Sequence, residues 1–165
     1  MKIEHEEPIS FEAKHESNFK LDSLKDFKQS EIGSSTGNNG LYGVGAYVST
    51  RNFKDEGYGK YKNRVNVKLN KHFVISNKSV SGLVNKLNLK NTEPEIHNVV
   101  RRHLAFGYPE NAFQVIMRGT DVRKGNERNL IMTKKLQEMG YDGVIHHKHG
   151  EIEEASIFDN SPCKK

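Results

Sequence analysis

The 165-residue chain contains no tryptophan and a single cysteine, Cys163. One thiol cannot form an intrachain disulfide, which excludes a stapled secreted scaffold. No apolar run approaches the roughly 20 residues that span a bilayer. The opening MKIEHEEPIS is acidic and polar, without the charged-then-apolar order of a secretory signal. The expectation is a cytoplasmic protein, or one delivered into a host cytoplasm, with no signal peptide or transmembrane segment. Repeats, low-complexity tracts and linkers are lacking as well. The length suits one domain, residues 1–165, with enough chain to bury a core.

Charge is present but unevenly spread. Residues 1–31 carry five Lys against eight Asp or Glu, a local balance of −3. Residues 51–72 carry seven Lys or Arg against two acids, a local balance of +5. That basic block is suited to an anionic partner such as nucleic acid, or is simply a solvated face.

Periodicity separates two kinds of segment. ISFEAKHES, AYVST, RVNVKLN and HFVIS read as strands, the third through the period-two spacing of Val65, Val67 and Leu69. FKLDSLKDF suits a short helix or a packed loop, and SEIGSSTGNNG a polar loop. The middle reads as helix. SVSGLVNKLNL opens with a serine cap, and TEPEIHNVVRRHL sets Thr92 and Glu95 at capping-box spacing with Pro94 in the first turn. PENAFQVIMR puts Phe113, Ile116 and Met117 on one face, and RNLIMTKKLQEMG stops at Gly140. YDGVIHH and ASIFD read as closing strands. Strands at both ends with helices inserted in the middle of the chain predict an α+β fold.

The densest glycine cluster is GLYGVGAYVSTRN, residues 40–52, with Gly40, Gly43 and Gly45. A dinucleotide cradle needs G-x-G-x-x-G opening a helix, whose N-terminus holds the pyrophosphate. Here the spacing is G-x-x-G-x-G and a strand follows. The Gly-Lys-Ser/Thr of a Walker loop is absent. HHKH, residues 146–149, sets His147 and His149 on one face if extended. No further ligand stands at zinc-like spacing, so no metal is expected. RRH at 101–103 and VRKGNER at 122–128 are short basic runs suited to phosphate contact or to solvation.

Three pieces gain meaning together. AKHESNF holds His15, Glu16 and Ser17. GVGAYVSTRNFKDEGYGKY holds Tyr47 and, eleven residues later, Tyr58. GYDGVIHHKHGEIEEASIFD holds Glu154 four residues before Phe158. At these residues the chain resembles the ADP-ribosyltransferases of the H-Y-E type, the group that includes diphtheria toxin and the poly(ADP-ribose) polymerases. The order of parts is most similar to small transferase domains of phage and mobile-element polyvalent proteins. The resemblance covers roughly residues 11–76 and 136–160, and it implies a split β-sheet core.

The resemblance implies a mono-ADP-ribosyltransferase that consumes NAD+ as a substrate, releases nicotinamide and needs no metal. His15 would hydrogen-bond the adenosine ribose, and the Glu16 backbone would hold the carboxamide with the Ser17 hydroxyl nearby. Gly45 would permit close backbone approach, Tyr47 would line the pocket, Ser49 would form its wall and Tyr58 would stack on the nicotinamide. Glu154 would be the catalytic carboxylate, selected over Glu151 and Glu153 by its distance from Phe158. Such a carboxylate suits the reaction, because loss of nicotinamide passes through an oxocarbenium-like cation that a fixed anion stabilises. The acceptor is a macromolecule, either protein, RNA or DNA. Arginine-modifying relatives carry a second acid where this chain has Ile152.

Glu16 departs from the family's glycine and motivates an alternative, a catalytically inactive binding module. Another alternative is a nucleic-acid-targeting toxin or nuclease that uses His15 and the histidine cluster. Taken singly, His15 is an ordinary surface histidine, Tyr47 and Tyr58 ordinary core aromatics, and Glu154 a solvated charge.

Overall fold

The computed structural model describes residues 8–17, 46–48, 61–120, 125–148 and 151–158. The predicted segments 19–27 and 30–40, the basic stretch 51–60 and His149 lie outside the described residues.

Strand β1 (Ile9–Ser17) pairs antiparallel with β3 (Tyr61–Leu69), setting Ile9 opposite Leu69 and Phe11 opposite Val67. The period-two pattern does its expected work here. Val67 and Leu69 are buried while Asn66 and Lys68 are exposed. A second sheet has the order β2 (Ala46–Val48), β6 (Glu151–Ile157), β5 (Gly143–Lys148), β4 (His72–Val74). Its pairings are antiparallel except β4 with β5, which run parallel.

Between those parallel strands the described residues hold five helices: α1 (Asn77–Lys86), α2 (Leu89–Thr92), α3 (Pro94–Ala105), α4 (Pro109–Arg118) and α5 (Gly125–Glu138). The fold is therefore α+β, with the helices inserted mid-chain as the pattern predicts. The four-stranded sheet is covered on both faces. One face packs Ile145, Ile152, Ala155 and Ile157 against Ala13, Val67 and Leu69 of the smaller sheet. The other packs Phe73 and Val144 against helical residues that include Val80, Leu83, Val100, Phe113 and Ile116. Phe113 stacks on Phe73 at 5.3 Å between ring centroids, and Tyr141 meets Phe73 edge-on at 5.5 Å.

Two helix starts differ from the sequence pattern. The cap of α1 is Ser76, not Ser79. Ser79 is its capping-box partner, with its amide donating to Ser76 Oγ and its hydroxyl accepting from the Ser76 amide. The Thr92–Glu95 capping box does not form, because Thr92 belongs to α2 and its hydroxyl donates to the Asn88 carbonyl. Glu93 is the cap residue of α3 and Pro94 its first residue. The Glu93 carboxylate pairs instead with both terminal nitrogens of Arg128, whose Nε donates to the Ile116 carbonyl at 3.0 Å. That fork joins the start of α3, the end of α4 and α5. At the close of α5, Gly140 has φ +96, and Tyr141 N–H reaches back to the Leu136 carbonyl, the expected glycine-ended helix.

Strand β6 also starts earlier than ASIFD suggests. It runs Glu151–Ile157, with Glu151 in the register position opposite Lys148 on β5.

At Gly143 the sheet leaves no room for a side chain. A Cβ there would sit 2.8 Å from the Ser156 carbonyl oxygen and 3.1 Å from a Leu69 methyl. Leu69 can shift but the strand carbonyl cannot. Gly143→Ala is expected to destabilise the fold by about 1–3 kcal/mol, read as a lowered urea midpoint with an unchanged m-value.

Candidate functional site

Strand β6 is central in its sheet and carries Glu154. Directly opposite Glu154 on β5 stands His146, and the next pair is His147 with Ile152. Residue 153 is thus an extra residue in β6, a bulge. Bulges bend a strand and re-aim its neighbours, and they recur beside functional side chains. The bulge separates the three acids. Glu151 pairs with Lys148 in register, Glu153 is the bulged residue, and Glu154 resumes the ladder, half-buried.

Tyr47 lies on β2 opposite Ser156, and Ser156 is two residues from Glu154. The pleat therefore sets positions 47, 154 and 156 on one side of the sheet, with 47 and 154 as diagonal cross-strand neighbours. Ser156 is fully buried, and its hydroxyl finds no hydrogen-bond partner among the described residues. An unmatched buried hydroxyl costs about 1–3 kcal/mol.

His15, Glu16 and Ser17 end β1, opposite Asn63, Lys62 and Tyr61 respectively. Strand β1 also lies alongside β2. The strands bearing His15, Tyr47 and Glu154 are thus successive neighbours, β1 beside β2 and β2 paired with β6. Gly45, Ser49 and Tyr58 lie outside the described residues. His146 and His147 occupy consecutive positions of β5, and among the described residues no group of three or more His, Cys, Asp or Glu could hold a metal ion.

The sequence also holds a run, Tyr141-Asp142-Gly143, whose work is structural. The Asp142 carboxylate accepts from the Asn70 amide at 2.8 Å and the Lys71 amide at 3.3 Å, while the Asp142 amide donates to the Lys71 carbonyl at 2.9 Å. The Phe158 amide donates to the Asp142 carbonyl at 3.0 Å. Lys71 completes the clasp: its ammonium donates to the Met139 carbonyl at 2.9 Å and lies 4.7 Å from the Tyr141 ring centroid. One residue therefore fixes the turn between β3 and β4, the start of β5 and the end of β6. Burial pushes the Asp142 carboxyl above its ordinary value of 3.8, against the opposing pull of the Asn70, Lys71 and Asp142 amides.

Sequence reasoning missed Ser156 and Asp142 as contributors. A serine inside the apolar strand ASIF is the one signal that could have pointed to the first. An aspartate between an aromatic and a glycine at a helix-to-strand turn could have pointed to the second.

Two outcomes follow from this geometry. Ser156→Ala removes an unmatched hydroxyl, so the urea midpoint is expected to stay unchanged or to rise, by up to about 1 kcal/mol. A clear drop would mean that the hydroxyl is paired. For Asp142, a raised folded pKa means that the folded state binds more protons than the unfolded one just above pH 3.8. Stability of the native chain relative to Asp142→Asn should therefore fall as pH is raised from about 4 to about 7. Urea titrations across that range check the sign, and a difference that grows with pH would refute it.

Comparison with protein-family models, with curated proteins and with solved structures finds no match for this chain.

Proposed function

We propose that the chain is a mono-ADP-ribosyltransferase with a split-sheet core of the ADP-ribosyltransferase kind, using NAD+ as the donor. The observation that carries this reading is the succession of strands β1, β2 and β6. They bear His15, Tyr47 and Glu154 in the H-Y-E order, with positions 47 and 154 diagonal on one side of the sheet. A half-buried carboxylate next to a bulge is chemically suited to a developing ribosyl cation.

In this reading the bond between ribose C1′ and the nicotinamide nitrogen breaks, and its electron pair leaves with neutral nicotinamide. Glu154 stabilises the developing cation and orients the ribose 2′-hydroxyl. A nucleophile on a protein or nucleic-acid acceptor then bonds to C1′ and gives up its proton. His15, Glu16, Ser17, Gly45, Ser49 and Tyr58 serve in binding the donor. The basic block 51–72 supports an anionic acceptor.

The test is incubation with labelled NAD+ and a cell lysate, followed by assay of free nicotinamide and of label in the protein and nucleic-acid fractions. Glu154→Gln is expected to lower both by about 10²–10³-fold. Nicotinamide release no higher than from that variant defeats the transferase reading. NAD+ binding without release would instead support an inactive binding module, the reading that Glu16 favours. Shortening of RNA or DNA in the absence of NAD+ would support a nuclease.

A further inference from the structure

The corner between α3 and α4 presents aromatic surface that the fold does not use. Phe106 is 75 % exposed and Tyr108 is 51 % exposed. They flank Gly107 at the end of α3, where the Gly107 amide donates to the Leu104 carbonyl at 3.1 Å and the Tyr108 amide to the His103 carbonyl at 2.9 Å. Gly107 has φ +80, as the left-handed position of this helix-ending turn requires. Both aromatics are thus carried on a hydrogen-bonded backbone, so little order would be lost on binding. The Asn77 side-chain Nδ2 donates to the Leu104 carbonyl and ties the start of α1 to the same corner.

The charge that leads up to these rings along α3 has one sign. From Ile96 to Pro109 the sequence has no acid. Arg101 and Arg102 are exposed and His103 is half-buried. Arg102 precedes Phe106 by four residues, which puts the two on one side of the helix end. Glu110, half-buried in the first turn of α4, is the next acid. Arg102 and His103 also complement the negative end of α3. That role explains the charge but not two exposed aromatic rings beside it.

We propose that this corner is a docking surface for single-stranded nucleic acid, with bases stacking on Phe106 and Tyr108 and phosphates meeting Arg101 and Arg102. Aromatic faces next to guanidinium groups match unpaired bases on a polyanion. A duplex hides its base faces, and an acidic peptide has none to stack. Neither stacking nor phosphate contact reads the sugar, so RNA and DNA strands bind alike. The inference is independent of NAD+ chemistry, and it uses other residues than the basic block 51–72.

Fluorescence anisotropy with labelled oligouridine and oligothymidine of about 12 nucleotides tests it. The full chain is compared with Phe106→Ala/Tyr108→Ala and with Arg101→Gln/Arg102→Gln. All four positions are exposed or partly so, and thermal melts verify that the variants fold. The aromatic pair is expected to weaken binding of both strands by roughly 10- to 100-fold with little change in salt dependence. The arginine pair should lower the slope of log K against log salt by about 1.4. Absence of binding, unchanged affinity in the aromatic pair, preference for duplex, or equal competition by polyglutamate would each overturn the proposal.

Discussion

A single carboxylate holds the two ends of this fold together. Asp142 bonds to main-chain groups of Asn70 and Lys71, across 72 and 71 residues of chain. Burial costs the charged form of this carboxyl more than those bonds return, so what they supply is position: they tie together two turns far apart in the chain. The neighbouring residues depend on the same arrangement. Tyr141 packs on Phe73 and lies near the Lys71 ammonium, and Gly143 lets β5 approach the Ser156 carbonyl and Leu69 closely. Without that clasp, the turn after β3 and the turn after α5 would have no shared anchor. The parallel pairing of β4 with β5 starts from both of those turns.

The four-stranded sheet is loaded on each side, and its two faces serve different ends. Ile145, Ile152, Ala155 and Ile157 form a dry seam against β1 and β3. The opposite face carries Val144 into the helical core and, further along β6, Ser156 and Glu154. The switch from apolar to polar character happens within one strand, and the bulge at residue 153 is where its alternation is reset. A bare hydroxyl and a half-buried carboxylate at that point are poor choices for packing alone. With His146, opposite Glu154 on β5, they make this end of the face polar where Val144 and Phe73 make the other end apolar.

The sequence was most readable where one face of an element is buried. Val67 and Leu69, or Phe113, Ile116 and Met117, advertise their partners by spacing, because burial and period are the same fact. It was less readable where the choice of partner decides the outcome. Nothing near Thr92 signals that it will close α2 with its hydroxyl donating to the Asn88 carbonyl, and so the capping box suggested by spacing is not made. The early start of β6 was hidden by its acids, whose place in the ladder depends on the register against His146, His147 and Lys148. For the candidate site, the motif order led to strands that are neighbours in space. The bulge that separates Glu154 from Glu151 and Glu153 is a property of pairing and has no local signature.

The parallel partnership of β4 and β5 makes the entire helical layer one crossover connection. The helices are built from contacts close in sequence, which form early. By contrast, β2 can meet β6 only after roughly a hundred residues of chain have been brought back, a slow closure. During synthesis from the N-terminus, β2 and β4 would both wait for partners that emerge after the helices. Their open edges are the stretch of time in which this chain is most exposed to pairing with the wrong strand.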